Sequence, residues 1–202
     1  HIRLLVDQNP KIPNRQRAIL GGGESPAPTL ASMAARLEAS GCDFLVMPCN
    51  TAHVFLDAIL AATRIPFVSI IDVTLGRALG NGADRLGVLA SGACIEAGVY
   101  QDAIAAAGKT PVLQTESELA DLTLLIARIK TGDRGPGVRA EMQALAKRLT
   151  ERGAEALILG CTEIPIVLDI DDADVPLFSS SDILAESTVA IALGNAPLPP
   201  RR

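Results

Sequence analysis

The stretch PCNTAH, at positions 48–53, places a thiol, an amide, a hydroxyl and an imidazole close together in the chain. Cys49 can act as an acid when it is a thiol and as a base when it is a thiolate. Asn50 and Thr51 can donate hydrogen bonds to a carboxylate. His53 follows Cys49 by four residues and shares a helical face with it, so it can orient or activate the thiol. Capping of a turn by His53 is an equal alternative.

A second stretch, LGCTEIP at 159–165, repeats this arrangement near the other end of the chain. Cys161 again follows an apolar run, and Thr162 offers a further hydrogen bond to a carboxylate. Glu163 can receive a substrate ammonium group or stabilise the start of a helix, and we favour the helix role. A thiol from each stretch can face one substrate from opposite sides.

Alternating strands and helices are expected to position these side chains. Short apolar runs predict strands, and amphipathic stretches rich in Ala and Leu predict helices between them. Strands are expected at 2–6, 43–47, 66–70, 85–90, 111–114, 156–160 and 176–179, and helices near 27–40, 52–63, 72–80, 95–107, 117–131, 137–152 and 180–194. This order predicts an α/β fold in which parallel sheets are flanked by helices.

Both cysteines are expected at the carboxyl ends of strands, which line the ligand crevice in open α/β sheets. Each also precedes a predicted helix. We therefore expect backbone N–H groups and the helix dipole to lower the pKa of Cys49 and Cys161, so that each ionises near neutral pH. Cys42, directly before the strand expected at 43–47, is expected to pack as a small hydrophobe.

The chain reads as two similar lobes with the active site in the cleft between them. Residues 38–52 and 150–164 share one order: helix end, glycine, acidic residue, apolar strand and a cysteine turn. Such a repeat suggests duplicated lobes, and the glycines within 79–85 mark a boundary. We predict that residues 1–80 together with 179–202 form the first lobe and residues 81–178 the second.

Composition excludes several other classes of protein. Hydrophobic residues make up 49% of the chain, enough for a sizeable core, and the net charge of −5 carries no long single-sign run, which argues against a nucleic-acid surface. The chain contains no apolar run of about 18 residues, the length that would predict a membrane span.

The cysteine and histidine content argues against a structural zinc site. The four cysteines form no CxxC pair, and the two histidines add few zinc ligands. Residues 169–174 are acidic but lack calcium-loop spacing. Reduced thiols and the lack of a signal-peptide pattern favour a cytoplasmic location.

Together, PCNTAH and LGCTEIP resemble the paired signatures of the aspartate/glutamate racemase family. Residues 7–20 are similar to the early NP-x-x-P-x-R loop of that family, and 127–132 to its later Lys-Gly segment. Residues 179–193 resemble its closing helix. The ordered set covers nearly the whole chain and most resembles the aspartate racemase branch.

The resemblance implies racemisation of an acidic amino acid, above all aspartate, without pyridoxal phosphate, another cofactor or a metal. Cys49 and Cys161 would be the acid and base on opposite faces of the α-carbon. Arg15 and Lys130 would bind carboxylates or polarise the one attached to the reacting carbon. The expected partner is the small amino-acid substrate, and the expected assembly is a homodimer.

Two features depart from the family pattern. The family begins with a strand and a Gly-rich loop that do not precede His1, so we expect the first lobe to lack its first strand and helix, either because that segment was lost from the numbered chain or because the fold lacks it. Ala93 and Cys94 stand where the family commonly has a Gly-Thr pair, which bears on substrate preference.

Other functions remain open from the sequence. A glutamate, hydantoin or broad-specificity amino-acid racemase would share the same two thiols. A two-lobed protein that binds a small ligand without chemistry belongs to a different class, as does a redox or metal-binding pair of thiols. For a disulfide, the two Cα atoms would need to lie within about 7 Å of each other.

Overall fold

The computed structural model describes residues 1–200 and contains two parallel β-sheets. The smaller sheet pairs β1 (Leu45–Val46) with β2 (Phe67–Val68). The larger sheet has the strand order β4-β3-β5-β6 and is built from β3 (Arg85–Ala90), β4 (Thr110–Val112), β5 (Ala156–Gly160) and β6 (Leu177–Ser179). All the strand pairs are parallel, which confirms the predicted α/β class.

Helices connect the strands and cover the sheets. The α-helices are α1 (Arg15–Leu20), α2 (Ala27–Ala39), α3 (Leu56–Ala61), α4 (Ile70–Leu79), α5 (Gly92–Glu96), α6 (Gln101–Ala106), α7 (Glu116–Lys130), α8 (Pro136–Glu151) and α9 (Ser180–Ala192). Short 3₁₀ segments occupy Thr51–Phe55 and Ile164–Ile166, directly after the two cysteine turns.

The larger sheet is covered on both faces. Leu157 and Leu159 of β5 pack into a cluster with apolar residues of α7 and α8, whereas Ile158 faces a cluster that contains Ile70 of α4 and Leu184 of α9. Every residue of β5 is buried. A strand buried on both faces reads as one continuous apolar run, which is why 156–160 could be predicted to the residue.

The smaller sheet has a separate core. Leu45 and Phe67 of the sheet pack with Leu30 and Ala34 of α2 and with Ile59 of α3. Cys42 and Cys49 lie against this cluster. The turn that carries Cys49 therefore rests on packed apolar side chains.

The repeated helix-to-strand connection is present in both halves. Gly41 follows α2 with a φ of 85°, and Gly153 follows α8 with a φ of 89°. This left-handed conformation favours glycine and ends a helix. The same local device thus leads into β1 and into β5, the strands that precede Cys49 and Cys161.

The predicted strand at 2–6 is wrong. Residues 1–9 form neither helix nor strand, and Leu4 and Val6 are 68% and 73% exposed. An apolar run becomes a strand only where a neighbouring strand supplies ladder hydrogen bonds. Among residues 1–200, no strand pairs with this segment.

Three helical segments also differ from the prediction. The helix expected at 95–107 is split into α5 and α6, because Gly98 adopts a φ of 69° between them. The segment at 52–63 begins as a 3₁₀ helix before α3. Helix α1 lies within residues 7–20, for which the family resemblance implies a loop. Asn14 starts this helix by accepting a hydrogen bond from the Arg17 backbone N–H.

The predicted lobe boundaries stay a prediction. The two sheets fall on either side of position 80, and both α4 and α9 contribute to the core of the larger sheet. Residues 201 and 202, which the prediction assigns to the first lobe, lie outside the described residues. Within residues 1–200, every helix is too short or too polar to cross a membrane.

Candidate active site

A cavity of about 310 Å³ lies where the carboxyl ends of the two sheets meet. Its walls come from the turn after β1, the ends of β3 and β5, the start of α1 and the last turns of α7. The structure brings together at this cavity all the site residues predicted from the sequence: Arg15, Cys49, Asn50, Thr51, Lys130, Cys161 and Thr162.

The Cys49 turn is held by His53 through backbone groups. The Cys49 carbonyl lies 2.8 Å from Nδ1 of His53, and the backbone N–H of Ile70 donates to Nε2 at 3.3 Å. Because Nε2 accepts, Nδ1 carries the proton and donates to the carbonyl. The buried imidazole therefore ties the turn to the start of α4, which supports the turn-holding alternative for His53.

The Asn50 side chain connects the two sheets. Its Nδ2 donates to the Ser180 hydroxyl at 3.0 Å, and its Oδ1 accepts from the Tyr100 hydroxyl. Ser180 in turn donates to the Leu159 carbonyl at 2.8 Å. These groups are buried, so the hydrogen bonds fix the turn after β1 relative to β5. Direct contact of Asn50 with a substrate stays a prediction.

Ser91 is a site residue that sequence reasoning missed. Its hydroxyl lies 3.1 Å from that of Thr51, and both side chains line the cavity. Ser91 directly follows β3. The same rule that located the two cysteines, a polar residue at the carboxyl end of a strand, could have found it.

Glu163 lies inside the cavity and contacts the second thiol. Its Oε2 accepts hydrogen bonds from the Cys161 thiol at 3.0 Å and from the Thr162 hydroxyl at 3.2 Å. Its Oε1 lies 3.4 Å from Nζ of Lys130. Its side chain makes no capping hydrogen bond to the 3₁₀ segment Ile164–Ile166. Glu163 therefore occupies the predicted N-cap position without a side-chain cap, and its carboxylate bonds to Cys161 and Thr162 instead.

The protonation expected for Cys161 is also corrected. Burial raises the pKa of Cys161 above its ordinary value, and the neighbouring Glu163 charge raises it further. Only a short 3₁₀ segment follows this thiol, so no long helix dipole opposes these effects. Burial also acts to raise the pKa of Glu163. The hydrogen bond from Cys161 and the charge of Lys130 outweigh it, so that pKa lies below its ordinary value.

Two cations reach the cavity from opposite helix ends. Arg15 begins α1, and its Nη1 donates to the Pro13 carbonyl at 3.3 Å. Lys130 is the last residue of α7 and is half exposed. Among the residues that the structure describes, Glu163 supplies the one carboxylate of the cavity wall.

The remaining cysteines lie outside the cavity wall. Cys94 is fully buried, and burial raises its pKa to about 12. A thiol in that state is a poor nucleophile. Cys42 is partly buried beside the small sheet. Between His1 and Pro200, no three His, Cys, Asp or Glu side chains form a group that could hold a metal ion.

The sequence model of the Asp/Glu/Hydantoin racemase family matches residues 1–188. The chain belongs to this family. A broad-specificity amino-acid racemase of Bacillus subtilis is 31% identical over 160 residues, which cover 79% of this chain and 69% of the relative. A glutamate racemase of Beutenbergia cavernae is 35% identical over 142 residues, covering 65% of this chain and 45% of the relative.

The fold is that of the racemase family. The aspartate racemase of Picrophilus torridus superposes with a TM-score of 0.84 at 24% identity, over 95% of this chain and 80% of that structure. This similarity confirms the architecture of parallel sheets with helices on their faces. The chain spans less than half the length of the Beutenbergia relative.

Proposed function

We propose that this racemase-family chain interconverts the enantiomers of an acidic amino acid, with aspartate as the substrate, through Cys49 and Cys161. The observation that carries the proposal is that both thiols line one cavity, each from a different sheet, together with Arg15 and Lys130. One thiolate removes the α-proton, and the opposite thiol delivers a proton to the other face. The product is then the mirror image of the substrate.

The main barrier is the weak acidity of the α-carbon, which is far less acidic than a thiol. A thiolate can remove this proton only if the developing enediolate-like charge is stabilised. Arg15 can hold a carboxylate through two parallel hydrogen bonds, and Lys130 supplies a compact positive charge. Thr51 and Thr162 can donate further hydrogen bonds. These groups do the work that a cofactor would otherwise do.

Charge complementarity supports an acidic substrate. Aspartate carries two carboxylates and one ammonium group, whereas the cavity wall carries two cations and the carboxylate of Glu163. A broad-specificity amino-acid racemase is the second candidate, because the relative of that name aligns with 79% of this chain. Glutamate and hydantoin racemisation are further possibilities within the family.

We also propose a homodimer in the cytoplasm, with lobes formed by residues 1–80 with 179–202 and by residues 81–178. The four cysteines are free thiols, which suits a reducing compartment. The two separate sheets are consistent with two lobes.

The test uses Cys49→Ser and Cys161→Ser. Each variant should lose racemisation, because inversion needs a base on one face and an acid on the other. Each should still eliminate a leaving group from the β-carbon of one enantiomer of a suitable amino acid, since elimination needs only one base. The two variants should prefer opposite enantiomers, as measured by circular dichroism and product release.

Cys42→Ser is the matched control, since Cys42 is also a partly buried free thiol but does not line the cavity. It should racemise like the wild type. Racemisation by either cavity variant, or elimination from the same enantiomer by both, contradicts the opposed-thiol mechanism. A protein that binds aspartate but exchanges no α-proton with deuterated solvent would instead be a binding protein.

A further inference from the structure

The two thiols of the cavity have different surroundings. The Cys161 thiol donates to the Glu163 carboxylate at 3.0 Å. Thr162 donates to the same oxygen, so Oε2 is held between a hydroxyl and a thiol. Glu163 is the one carboxylate that lines this cavity within residues 1–200, and it belongs to the Cys161 turn.

The position of Glu163 is well defined by its contacts. Its side chain is only 19% exposed, and Lys130 holds the second carboxylate oxygen from the end of α7. The carboxylate is therefore anchored on both oxygens, by a cation on one side and by hydroxyl and thiol donors on the other. An anchored carboxylate at this distance favours the protonated form of its thiol neighbour, because two adjacent negative charges repel each other.

We propose that Glu163 is a positioning residue that holds Cys161 as a neutral thiol in the resting protein, so that Cys161 enters the reaction as the acid and Cys49 as the base. This inference rests on the proposed racemase function. The Cys49 thiolate takes the α-proton and becomes a thiol, and the electron pair of the C–H bond stays on the substrate. That carbanion takes the proton of Cys161, which becomes a thiolate. Proton exchange with solvent then restores the resting state.

The asymmetry has a consequence for turnover. The enantiomer whose α-proton faces Cys49 can react with the resting form directly. The other enantiomer has to wait for the form in which Cys161 is a thiolate beside Glu163. Each enantiomer thus reacts with a different protonation form of the two thiols, although kcat/KM stays equal for both at every pH because the enantiomers are equally stable.

Several charged or titratable groups face Cys161. Glu163 lies on its own turn, Lys130 comes from α7 and Arg15 from α1, and Cys49 lines the same cavity. Tyr100, buried behind the wall, also interacts with Cys161, and burial keeps its hydroxyl protonated by raising its pKa. Burial and the Glu163 charge both favour the neutral thiol, whereas the Lys130 charge favours the thiolate. Removing the Glu163 charge therefore leaves burial as the main effect that opposes Lys130.

The experiment measures the alkylation rate of Cys161 by iodoacetamide from pH 5 to pH 10, read by mass spectrometry on the peptide that contains it. Glu163→Gln should move the alkylation profile to lower pH by at least about one unit, which near neutral pH is roughly a tenfold faster reaction. Glu163→Asp keeps the charge and should stay nearer the wild type. Glu151→Gln, an exposed carboxylate at the end of α8, is the control and should leave the profile unchanged.

A second readout follows elimination in the Cys49→Ser background, where Cys161 is the base. Adding Glu163→Gln should move that pH–rate profile to lower pH by the same interval. An unshifted alkylation profile overturns the proposal. Loss of elimination by the double variant at every pH also overturns the proposal, because Glu163 would then be the base that removes the proton from the Cys161 thiol. A shifted alkylation profile in a protein that neither racemises nor eliminates supports the control of Cys161 by Glu163 and refutes the racemase function instead.

Discussion

Arg15 and Lys130 are the charges that distinguish this cavity from an ordinary cleft between sheets. Without the family resemblance, each would be interpreted as a surface charge, yet both line the same cavity as the thiols. Arg15 is partly buried and is oriented by the Pro13 carbonyl. A guanidinium fixed in this way can present its remaining N–H groups to a substrate carboxylate.

Replacing Arg15 by Lys should therefore impair the reaction although the charge is kept. The planar fork that matches a carboxylate is lost, and one charge-assisted hydrogen bond contributes about 1.5–3 kcal/mol. We expect kcat/KM for aspartate to fall about tenfold to a hundredfold, measured by circular dichroism of the amino acid.

Arg17→Lys provides the comparison, because Arg17 lies exposed on the same helix and does not line the cavity. It should leave kcat/KM unchanged. Wild-type kinetics for the Arg15 variant would mean that this arginine is only a surface charge.

At the scale of secondary-structure elements, helix α7 positions Lys130, its last residue, because the N-terminal end of the helix is fixed. Thr115 and Glu118 form a capping box at its start. Both carboxylate oxygens of Glu118 also accept from Arg152, at 2.8 and 2.7 Å, just beyond the end of α8. This link holds α7 against α8 and so fixes where Lys130, at the far end of α7, meets the cavity.

Replacing Glu118 by Gln should destabilise the fold by about 2 kcal/mol at neutral pH, the range for hydrogen bonds to a charged group. The hydrogen bonds from Arg152 outweigh the effect of burial and lower the pKa of Glu118 from 4.5 to about 2. Because the pKa is lower in the folded state, the stabilisation is complete above pH 4.5. It is lost as the pH falls toward 2.

Urea denaturation at several pH values measures this effect. The difference between wild type and Glu118→Gln should be largest at neutral pH and should shrink between pH 4.5 and pH 2. Glu116→Gln, exposed in the same helical turn, should show a much smaller difference. A difference that does not change with pH would show that the Glu118 charge makes no contribution to stability.

For the whole molecule, catalysis depends on how the two sheets meet. Each sheet brings one thiol. Asn50 accepts a buried hydrogen bond from Tyr100 and donates one to Ser180. Ser180 in turn donates to the Leu159 carbonyl of β5, so the Cys49 turn is tied to the strand that precedes Cys161. The distance between acid and base is thus set by packing between the sheets, since neither sheet alone contains both groups.

Racemisation by the purified protein should persist after dialysis against a chelator and without added pyridoxal phosphate. The proton transfers are assigned to thiols, and residues 1–200 offer no cluster of three metal-ligating side chains. Optical rotation of aspartate before and after dialysis measures this. Activity that disappears with the chelator and returns with zinc would contradict it.

The sequence by itself determined the parallel α/β class, strands β3 and β5, and the placement of both thiols at strand ends. These features depend on local signals: a continuous apolar run for a fully buried strand, and glycine at positive φ after a helix. The same signals misassigned 2–6 as a strand. A strand also requires a neighbouring strand for its backbone hydrogen bonds, and the hydrophobic pattern of the sequence cannot reveal that neighbour.

Only the tertiary structure decided which side chains are partners. It joined Arg15, Lys130 and Glu163 around two thiols that are far apart in the chain, and it directed the His53 ring to backbone groups. It also made Cys161 a donor to a carboxylate, whereas the local pattern suggested a readily ionised thiol. The physical reason is that burial and charge act through space, so the protonation of a group depends on what the fold packs beside it.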